Sequence, residues 1–311
     1  MENVKLSPAQ KFWKTVKSNP IVVLLVVIGI IVGFTKDNFF SWRNFGNLAS
    51  NTAVRFLIAL GVSGCLITKG TDLSAGRQVG FAACLAGVLL QRANYAGRLF
   101  PNMPEMNMGV VLLIVLAIGA VFGLLNGLII AFLNVPPFIA TLGTQTIIYG
   151  ISLVFTDAQP IGGFQESYNN LINGCIGDPK GFYLPYLLFV AVIFGLFFWF
   201  LYNKTCHGKY MYAIGGNEIA AEVSGVNTKK AKILIYMTAG IMYAMAGYLL
   251  AAKSGGASAS MGNGYELEAI AGCTIGGVST TGGIGTIGGV LVGVLVFEFL
   301  KIVLQFLGVN P

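Results

Sequence analysis

Long apolar runs separated by polar stretches follow one another along the chain from residue 20 onwards. A helix needs about 20 apolar residues to cross the hydrocarbon core of a bilayer. We therefore predict an all-α fold, a polytopic transmembrane helical bundle of roughly eight to ten spans with one short or broken segment. The predicted spans cover residues 21–34, 53–67, 79–90, 108–133, 138–155, 183–202, 233–252 and 284–307.

Two stretches between these runs differ from ordinary spans and loops. Residues 266–281 are too short and too rich in glycine for a lipid-facing helix, so we predict a shielded half-helix or an irregular segment buried among other helices. Residues 36–51 carry Phe39, Trp42 and Phe45, an aromatic pattern that is typical of the membrane–water interface. We expect this stretch to link the first two spans.

Glycines recur at four-residue spacing in two of the predicted spans. This spacing places them on one face of a helix, where the missing side chains let helix backbones approach closely. The stripes are Gly119, Gly123 and Gly127 in the fourth span and Gly285, Gly289 and Gly293 at the last span. We expect both to be packing faces. In the last span Glu298 and Lys301 are three residues apart and can form an ion pair.

Charge is scarce and unevenly placed along the chain. Only 10% of the residues are charged, whereas a soluble domain has about a quarter. Lysines cluster at the ends of apolar runs, which follows the positive-inside rule. We therefore predict a cytoplasmic N-terminal segment at residues 1–19 and a transmembrane domain at 20–311 that includes a basic cytoplasmic loop, 203–232. We expect membrane lipid to surround the transmembrane domain, and we expect no nucleic-acid partner.

The motifs of catalysis and nucleotide binding are absent from the sequence. No G-x-x-x-x-G-K-[ST], H-E-x-x-H or G-x-S-x-G occurs, and the single histidine, His207, cannot build a metal site or a triad alone. We therefore expect no catalytic residues, no bound cofactor, no metal and no enzymatic activity. Few carboxylates lie inside the predicted spans, which disfavours proton-coupled transport. A transport protein of this kind needs a downhill substrate or a partner that hydrolyses ATP.

Polar residues precede the third predicted span. Asp72 can cap that helix, and Arg77, five residues further on, is close enough to neutralise the carboxylate. Alternatively, Asp72, Ser74 and Arg77 line the inner mouth of a transport pathway, because ionisable groups at membrane depth are costly and usually functional. Both interpretations remain open at this point.

A second set of polar residues lies within the fourth and fifth predicted spans. Asn126 is next to the first glycine stripe, and Thr141, Thr144 and Gln145 lie near the start of the fifth span. These side chains can line a water-filled pathway or form hydrogen bonds between helices. The sequence supports the two alternatives equally.

The basic loop 203–232 contains a short helix with helix-end signals at both sides. Asn217 is a good N-cap residue, residues 217–224 have an amphipathic pattern, and Gly225 stands where a C-cap glycine would stand. A short helix held at a membrane surface between two spans can dock into a cleft on a partner protein. The alternative is an ordinary solvated loop.

The chain resembles the membrane permeases of bacterial sugar ABC importers over nearly its whole length. It is especially similar to galactose/methyl-galactoside permeases and less similar to ribose permeases. The most specific motif is residues 70–80, GTDLSAGRQVG. The other matching motifs are LNG at 125–127, PFIATLGT at 137–144, AIGGN at 213–217, VSGVN at 223–227, YELEAIA at 265–271 and GGVS at 276–279.

This resemblance implies a function and a set of partners. The chain would be the permease subunit for galactose or methyl-galactoside in the inner membrane, working with a separate ATP-binding cassette ATPase. The other partners would be a periplasmic or lipid-anchored sugar-binding protein and a second permease copy. The loop between the sixth and seventh spans would be the coupling loop that docks into the ATPase, through Gly216, Asn217, Glu218, Ala221, Ser224 and Gly225.

Family members continue beyond the point that matches Gly308 with another hydrophobic helix and a short basic tail, whereas this sequence ends at Pro311. We expect either a truncation or a missing last crossing. The alternative functions are a permease for ribose or another monosaccharide, an ion-coupled secondary transporter, and a structural membrane subunit without a pathway.

Overall fold

The computed structural model describes residues 20–178 and 182–309, with side chains from residue 27 onwards. It confirms the predicted helical bundle, to which one short β-hairpin is added. The predicted cytoplasmic segment 1–19 lies outside the described residues. The elements are α1 (Pro20–Thr35), α2 (Trp42–Ile67), α3 (Ala75–Leu89), α4 (Met108–Phe132), α5 (Pro137–Thr156), α6 (Glu166–Asn173), β1 (Cys175–Gly177), β2 (Tyr183–Pro185), α7 (Tyr186–Lys204), α8 (Cys206–Gly216), α9 (Glu218–Val223), α10 (Thr228–Ser254), α11 (Tyr265–Ile275) and α12 (Ile287–Phe306).

Six helices in the described part of the chain are long and apolar enough to cross a membrane, namely α2, α4, α5, α7, α10 and α12. Helices α1 and α3 are shorter, with 16 and 15 residues, and α11 has only 11. Helix α11 falls in the segment where a half-helix was expected, so that prediction is confirmed. The nine helices together agree with the predicted range of spans and partial spans.

Helix α10 lies at the centre of the bundle and packs against α4, α3 and α2. Along α3 and most of α2, nearly every residue is buried inside the protein. The buried residues of both helices are mostly apolar or small, which is the pattern expected of a helix surrounded by others. The core at this centre includes Phe56, Leu60, Tyr236 and Tyr243, each less than 2% exposed.

The two glycine stripes are packing faces, as the spacing predicts. A Cβ atom on Gly119 would overlap Gly240 and Ala244 of α10, and one on Gly123 would overlap the carbonyl oxygen of Tyr236. Gly289 and Gly293 of α12 face the end of α11 in the same way, since a Cβ on Gly293 would overlap the carbonyl oxygen of Gly272. The prediction is wrong for Gly285, which precedes α12 and meets the side chain of Ile67 in α2. The backbones therefore touch where glycine removes the side chain.

The prediction of an interfacial link over residues 36–51 is wrong for its second half, because α2 already begins at Trp42. Ser41 caps the helix, and its Oγ accepts a hydrogen bond from the Asn44 backbone N–H at 3.2 Å. Polar residues near this end of α2 interrupt the hydrophobic run, so the hydrophobicity pattern did not reveal the start of the helix. One of them, Asn51, accepts a hydrogen bond from Lys253 of α10, so its partner is another helix.

Two irregular segments enter the bundle next to the short helices. Residues 70–74 precede α3, and residues 255–264 precede α11. The second segment runs along α3, since a Cβ atom on Gly80 would overlap the carbonyl oxygen of Met261 and one on Gly76 would overlap that of Gly262. Non-helical backbone at membrane depth is tolerated only where protein surrounds it, as it does here.

Replacing Gly123 by alanine tests the backbone contact between α4 and α10. The added methyl group has no room beside Tyr236, so we expect Gly123→Ala to destabilise the protein by about 1–3 kcal/mol, as overpacking does. The matched control is Gly150→Ala on α5, where nothing lies within 4 Å of the added Cβ and no loss is expected. Thermal unfolding in detergent measures both. Equal midpoints for the two variants would contradict the close contact.

Candidate functional site

A buried polar cluster gathers several of the predicted pathway residues where α3 begins. Oδ1 of Asp72 accepts hydrogen bonds from the Ser74 backbone N–H at 2.9 Å and from the Ser74 Oγ at 2.6 Å. The same Oγ accepts from Nε2 of Gln78 at 2.8 Å and from Nδ2 of Asn126 at 2.9 Å. Asp72, Ser74 and Asn126 are completely buried. The hydroxyl of Ser74 thus joins α3 to α4.

Thr141 holds the same irregular segment from the other side. Its Oγ1 accepts a hydrogen bond from the Leu73 backbone N–H at 3.1 Å and lies 2.8 Å from the carbonyl oxygen of Pro137. Thr144 donates to the carbonyl oxygen of Thr141 in its own helix at 3.1 Å. Thr144 and Gln145 are half-buried, whereas Thr141 is fully buried. Thr141 and Asn126 thus form hydrogen bonds to Leu73 and Ser74 on neighbouring elements, and a pathway role for Asn126, Thr141, Thr144 and Gln145 stays a prediction.

The expected charge pair between Asp72 and Arg77 does not form. The Arg77 guanidinium lies 2.8 Å from Oδ1 of Asn263 and stacks over the ring of Tyr149, 4.1 Å from its centroid. Asp72 also does not cap α3, because Ser74 stands at the N-cap position. The first turn of α3 directs position 77 away from position 72 and towards the segment that precedes α11. A pathway role for Asp72, Ser74 and Arg77 stays a prediction.

The short helix predicted in the basic loop is present as α9. Oδ1 of Asn217 accepts a hydrogen bond from the Ala220 backbone N–H at 3.1 Å, as an N-cap does. Gly225 has φ = 87°, and the following Val226 N–H closes the helix end on the Ala221 carbonyl oxygen at 3.1 Å. Asn227 then caps α10 by accepting from the Lys230 N–H at 2.9 Å. Both ends of α9 are thus defined by local hydrogen bonds.

Helix α9 packs against its neighbours through a small apolar cluster. Ala221 packs with Ile214 of α8 and Ala231 of α10, and its side chain is 5% exposed. Nζ of Lys232 pairs with Oε1 of Glu218 at 2.6 Å. Among the predicted coupling residues, Ala221 and Glu218 therefore face the permease itself. Gly216, Asn217, Ser224 and Gly225 are exposed.

The outer face of α9 carries two apolar side chains that were not among the predicted coupling residues. Ile219 is 76% exposed and Val223 is 85% exposed. They are four residues apart and therefore neighbours on one face of the helix. The sequence contains the signal for this face, an apolar pair at i and i+4 that is offset from Ala221.

Backbone contacts join this region to the nearby ends of the long helices. The Gly283 N–H donates to the carbonyl oxygen of Ile67 at the end of α2, at 2.8 Å. A Cβ atom on Gly215 would overlap the same Ile67 oxygen, and the Tyr212 hydroxyl donates to the Gly285 carbonyl oxygen at 2.8 Å. Burial lowers the pKa of His207 in α8 below its usual value, so this side chain is neutral near pH 7. Lysines supply the positive charge of the region.

Comparison with known proteins identifies the family. Residues 44–311 match the family described as branched-chain amino acid transport system / permease component. The galactose/methyl galactoside import permease protein MglC of Escherichia coli (strain K12) is 48% identical over 293 residues, which cover 93% of this chain and 87% of that protein. The chain belongs to this permease family.

Other relatives agree with this assignment. The protein named MglC from Haemophilus influenzae is 47% identical over 305 residues, covering 97% of this chain and 90% of the relative. The ribose import permease protein RbsC of Escherichia coli (strain K12) is 35% identical over 301 residues, covering 96% and 89%. No solved structure matches the chain. This permease is a multi-pass protein of the bacterial inner membrane and a transport subunit rather than a catalyst.

Cysteine accessibility tests whether water reaches the polar cluster of the permease. In a background with Cys175→Ser and Cys206→Ser, we expect Ser74→Cys and Asn126→Cys to resist an aqueous maleimide in permeabilised membranes, because both positions are fully buried. Ser224→Cys on exposed α9 is the positive control. If the cluster positions react as fast as this control, the cluster is part of a hydrated pathway and the hydrogen-bonding interpretation is wrong.

Proposed function

We propose that this permease is the transmembrane subunit of an ATP-binding cassette importer that carries galactose or methyl galactoside into the cell. The observation that carries the proposal is the identity of 48% and 47% to the galactose/methyl galactoside import permeases of Escherichia coli and Haemophilus influenzae, against 35% to the ribose import permease of Escherichia coli. A ribose or other monosaccharide permease is the second candidate.

The proposal includes three protein partners. A separate ATPase supplies the energy, because the permease sequence holds no P-loop motif. A periplasmic or lipid-anchored sugar-binding protein delivers the sugar, and a second permease copy completes the membrane part. The permease itself binds no cofactor, and ATP is used by the partner subunit.

We propose α9 as the surface on which the ATPase docks. Exposed Ile219 and Val223 form an apolar contact face that the caps of α9 hold in position. The contact of its Ala221 with Ala231 passes a displacement to α10, because close-packed contacts transmit strain. The contact of Gly283 with Ile67 passes the displacement to α2.

A charge on the outer face of α9 tests the docking surface. We expect Val223→Asp to leave the permease folded, since Val223 is 85% exposed, and to reduce ATPase recruitment. A loss of about tenfold in the affinity of recruitment corresponds to about 1.4 kcal/mol. Co-purification of the ATPase and sugar uptake measure the effect. Glu222→Gln, an exposed polar position on the same helix, is the matched control.

If Val223→Asp recruits the ATPase and transports sugar as well as Glu222→Gln does, α9 is not the docking surface. If it recruits the ATPase normally but transports less, α9 transmits the movement without contributing to affinity. These two outcomes separate docking from coupling.

Reconstitution tests the transport function as a whole. In proteoliposomes that contain the permease, its ATPase and its sugar-binding protein, we expect ATP-dependent uptake of radiolabelled galactose that excess methyl galactoside inhibits more than excess ribose. The permease alone, with or without an ion gradient, should transport nothing. Uptake by the permease alone under a proton gradient would favour an ion-coupled secondary transporter and would overturn the proposal.

A further inference from the structure

Four charged side chains form a closed ring inside the bundle, although no sequence motif brings them together. Nε of Arg55 lies 2.9 Å from Oε2 of Glu268 and 3.3 Å from Oε1 of Glu298. Nζ of Lys301 lies 2.8 Å from Oε1 of Glu268 and 3.5 Å from Oε1 of Glu298. The expected pair of Glu298 with Lys301 is therefore one side of a larger arrangement. Cations and carboxylates alternate, and their charges cancel.

The ring lies at membrane depth. Arg55 is at the middle of α2, Glu298 and Lys301 are in α12, and Glu268 is in the first turn of α11. The Glu298 side chain is only 4% exposed. Charges at this depth are expensive even when paired, and apolar side chains of similar volume would stabilise a helix contact at least as well. The expectation that few carboxylates lie inside the spans is thus incomplete, and the ring calls for a functional explanation.

A cavity of about 200 Å³ opens beside the ring. Three ring residues, Arg55, Glu298 and Lys301, line the cavity together with polar side chains of Asn51, Lys253, Tyr265 and Gln305. Lys253 donates a hydrogen bond to Asn51 and makes no ion pair within the described part of the chain. Ser254 and Gln305, at the ends of α10 and α12, are exposed at the rim. Because α9 is next to the other end of α10, the cavity opens towards the side opposite the proposed ATPase.

The chemistry of the lining matches a neutral polyhydroxylated ligand. A hydroxyl group donates one hydrogen bond and accepts others, so it can bind between a carboxylate and an ammonium group or an amide. An anion would meet the lining carboxylate Glu298, and a cation would meet Arg55, Lys253 and Lys301. Glu268, outside the lining, offsets the charges of Arg55 and Lys301 through its ion pairs. The Arg55 guanidinium covers the face of Tyr265 at 3.3 Å, so that ring is not free to stack on a sugar. Such a site binds by hydrogen bonds alone and therefore weakly, as a transport intermediate requires.

We propose that this cavity, between α2, α10, α11 and α12, is a low-affinity binding site for the monosaccharide on its way into the membrane. The inference rests on the proposed sugar-import function and adds the location and the chemistry of the site. The ring residues supply hydrogen-bond donors and acceptors for the sugar hydroxyl groups, and Asn51, Lys253 and Gln305 complete the lining.

Alkylation protection tests the site without changing the ring. Gln305→Cys is introduced at the exposed rim in the Cys175→Ser, Cys206→Ser background, and the complete importer is treated with an impermeant maleimide. At a galactose concentration about ten times the dissociation constant, about a tenth of the sites remain free, so alkylation should slow about tenfold. Leucine at equal concentration is the control ligand and should leave the rate unchanged.

A second experiment removes one carboxylate of the ring. We expect Glu298→Gln to abolish the protection by galactose and to lower maximal galactose uptake about tenfold, because a charged hydrogen-bond acceptor is lost. Glu166→Gln is the matched control, since Glu166 is an 80% exposed carboxylate of α6 that pairs with Arg92 at 3.5 Å outside the cavity. The amount of assembled importer is measured for every variant.

The outcomes separate this inference from the proposed function. If the parent importer takes up galactose but galactose gives no protection and Glu298→Gln transports normally, the cavity is not a sugar site and the sugar-import function stands. If the parent importer takes up ribose only, the galactose assignment falls and protection by ribose decides the site. Protection by leucine instead of a sugar overturns the ligand class. If Glu298→Gln separates the permease copies, the ring is an assembly contact and the inference is wrong.

Discussion

The hydrocarbon core offers polar groups no hydrogen-bonding partner, and this constraint organises the interior of the permease. The segment before α3 is buried at residues 72–74, and the segment before α11 packs against α3 through Met261 and Gly262. Ser74 and Thr141 hold the first of them through hydrogen bonds to its own groups and to α4. Closely packed glycines bring the surrounding backbones near enough to exclude lipid. The buried polar cluster and the irregular backbone therefore depend on one another.

Two long helices, α2 and α10, reach both of the functional regions inferred for the molecule. Helix α2 contacts Gly283 near α9 at one end and carries Arg55 at its middle. Helix α10 starts beside α9 and ends at Lys253, and α12 carries Glu298 beside the cavity. Helices are stiff along their axes, so a displacement of α9 reaches the cavity without any contact between the two regions. Docking of the ATPase and release of the sugar can be coupled through these helices.

Several features that depend on neighbouring residues were predicted from the sequence. The N-cap at Asn217, the left-handed Gly225 and the glycine stripe of α4 depend on residues within one or two turns, and all three are confirmed. The start of α2 was missed because its first turns carry polar residues, which interrupt the hydrophobic pattern. The charge pair of Asp72 with Arg77 was wrong for a related reason, since closeness in sequence does not decide which way a side chain points at a helix start.

That the chain is a polytopic helical membrane protein similar to sugar permeases follows from the sequence, because hydrophobic run length and motif strings are properties of consecutive residues. Which polar groups meet depends on the packing of the helices. Arg55, Glu268 and Glu298 come from three helices that are far apart in sequence, and Ile219 becomes an outer residue only because Ala221 packs against α8 and α10. These contacts between side chains depend on the angles at which the helices cross, and the crossing angles are set by packing over the whole bundle.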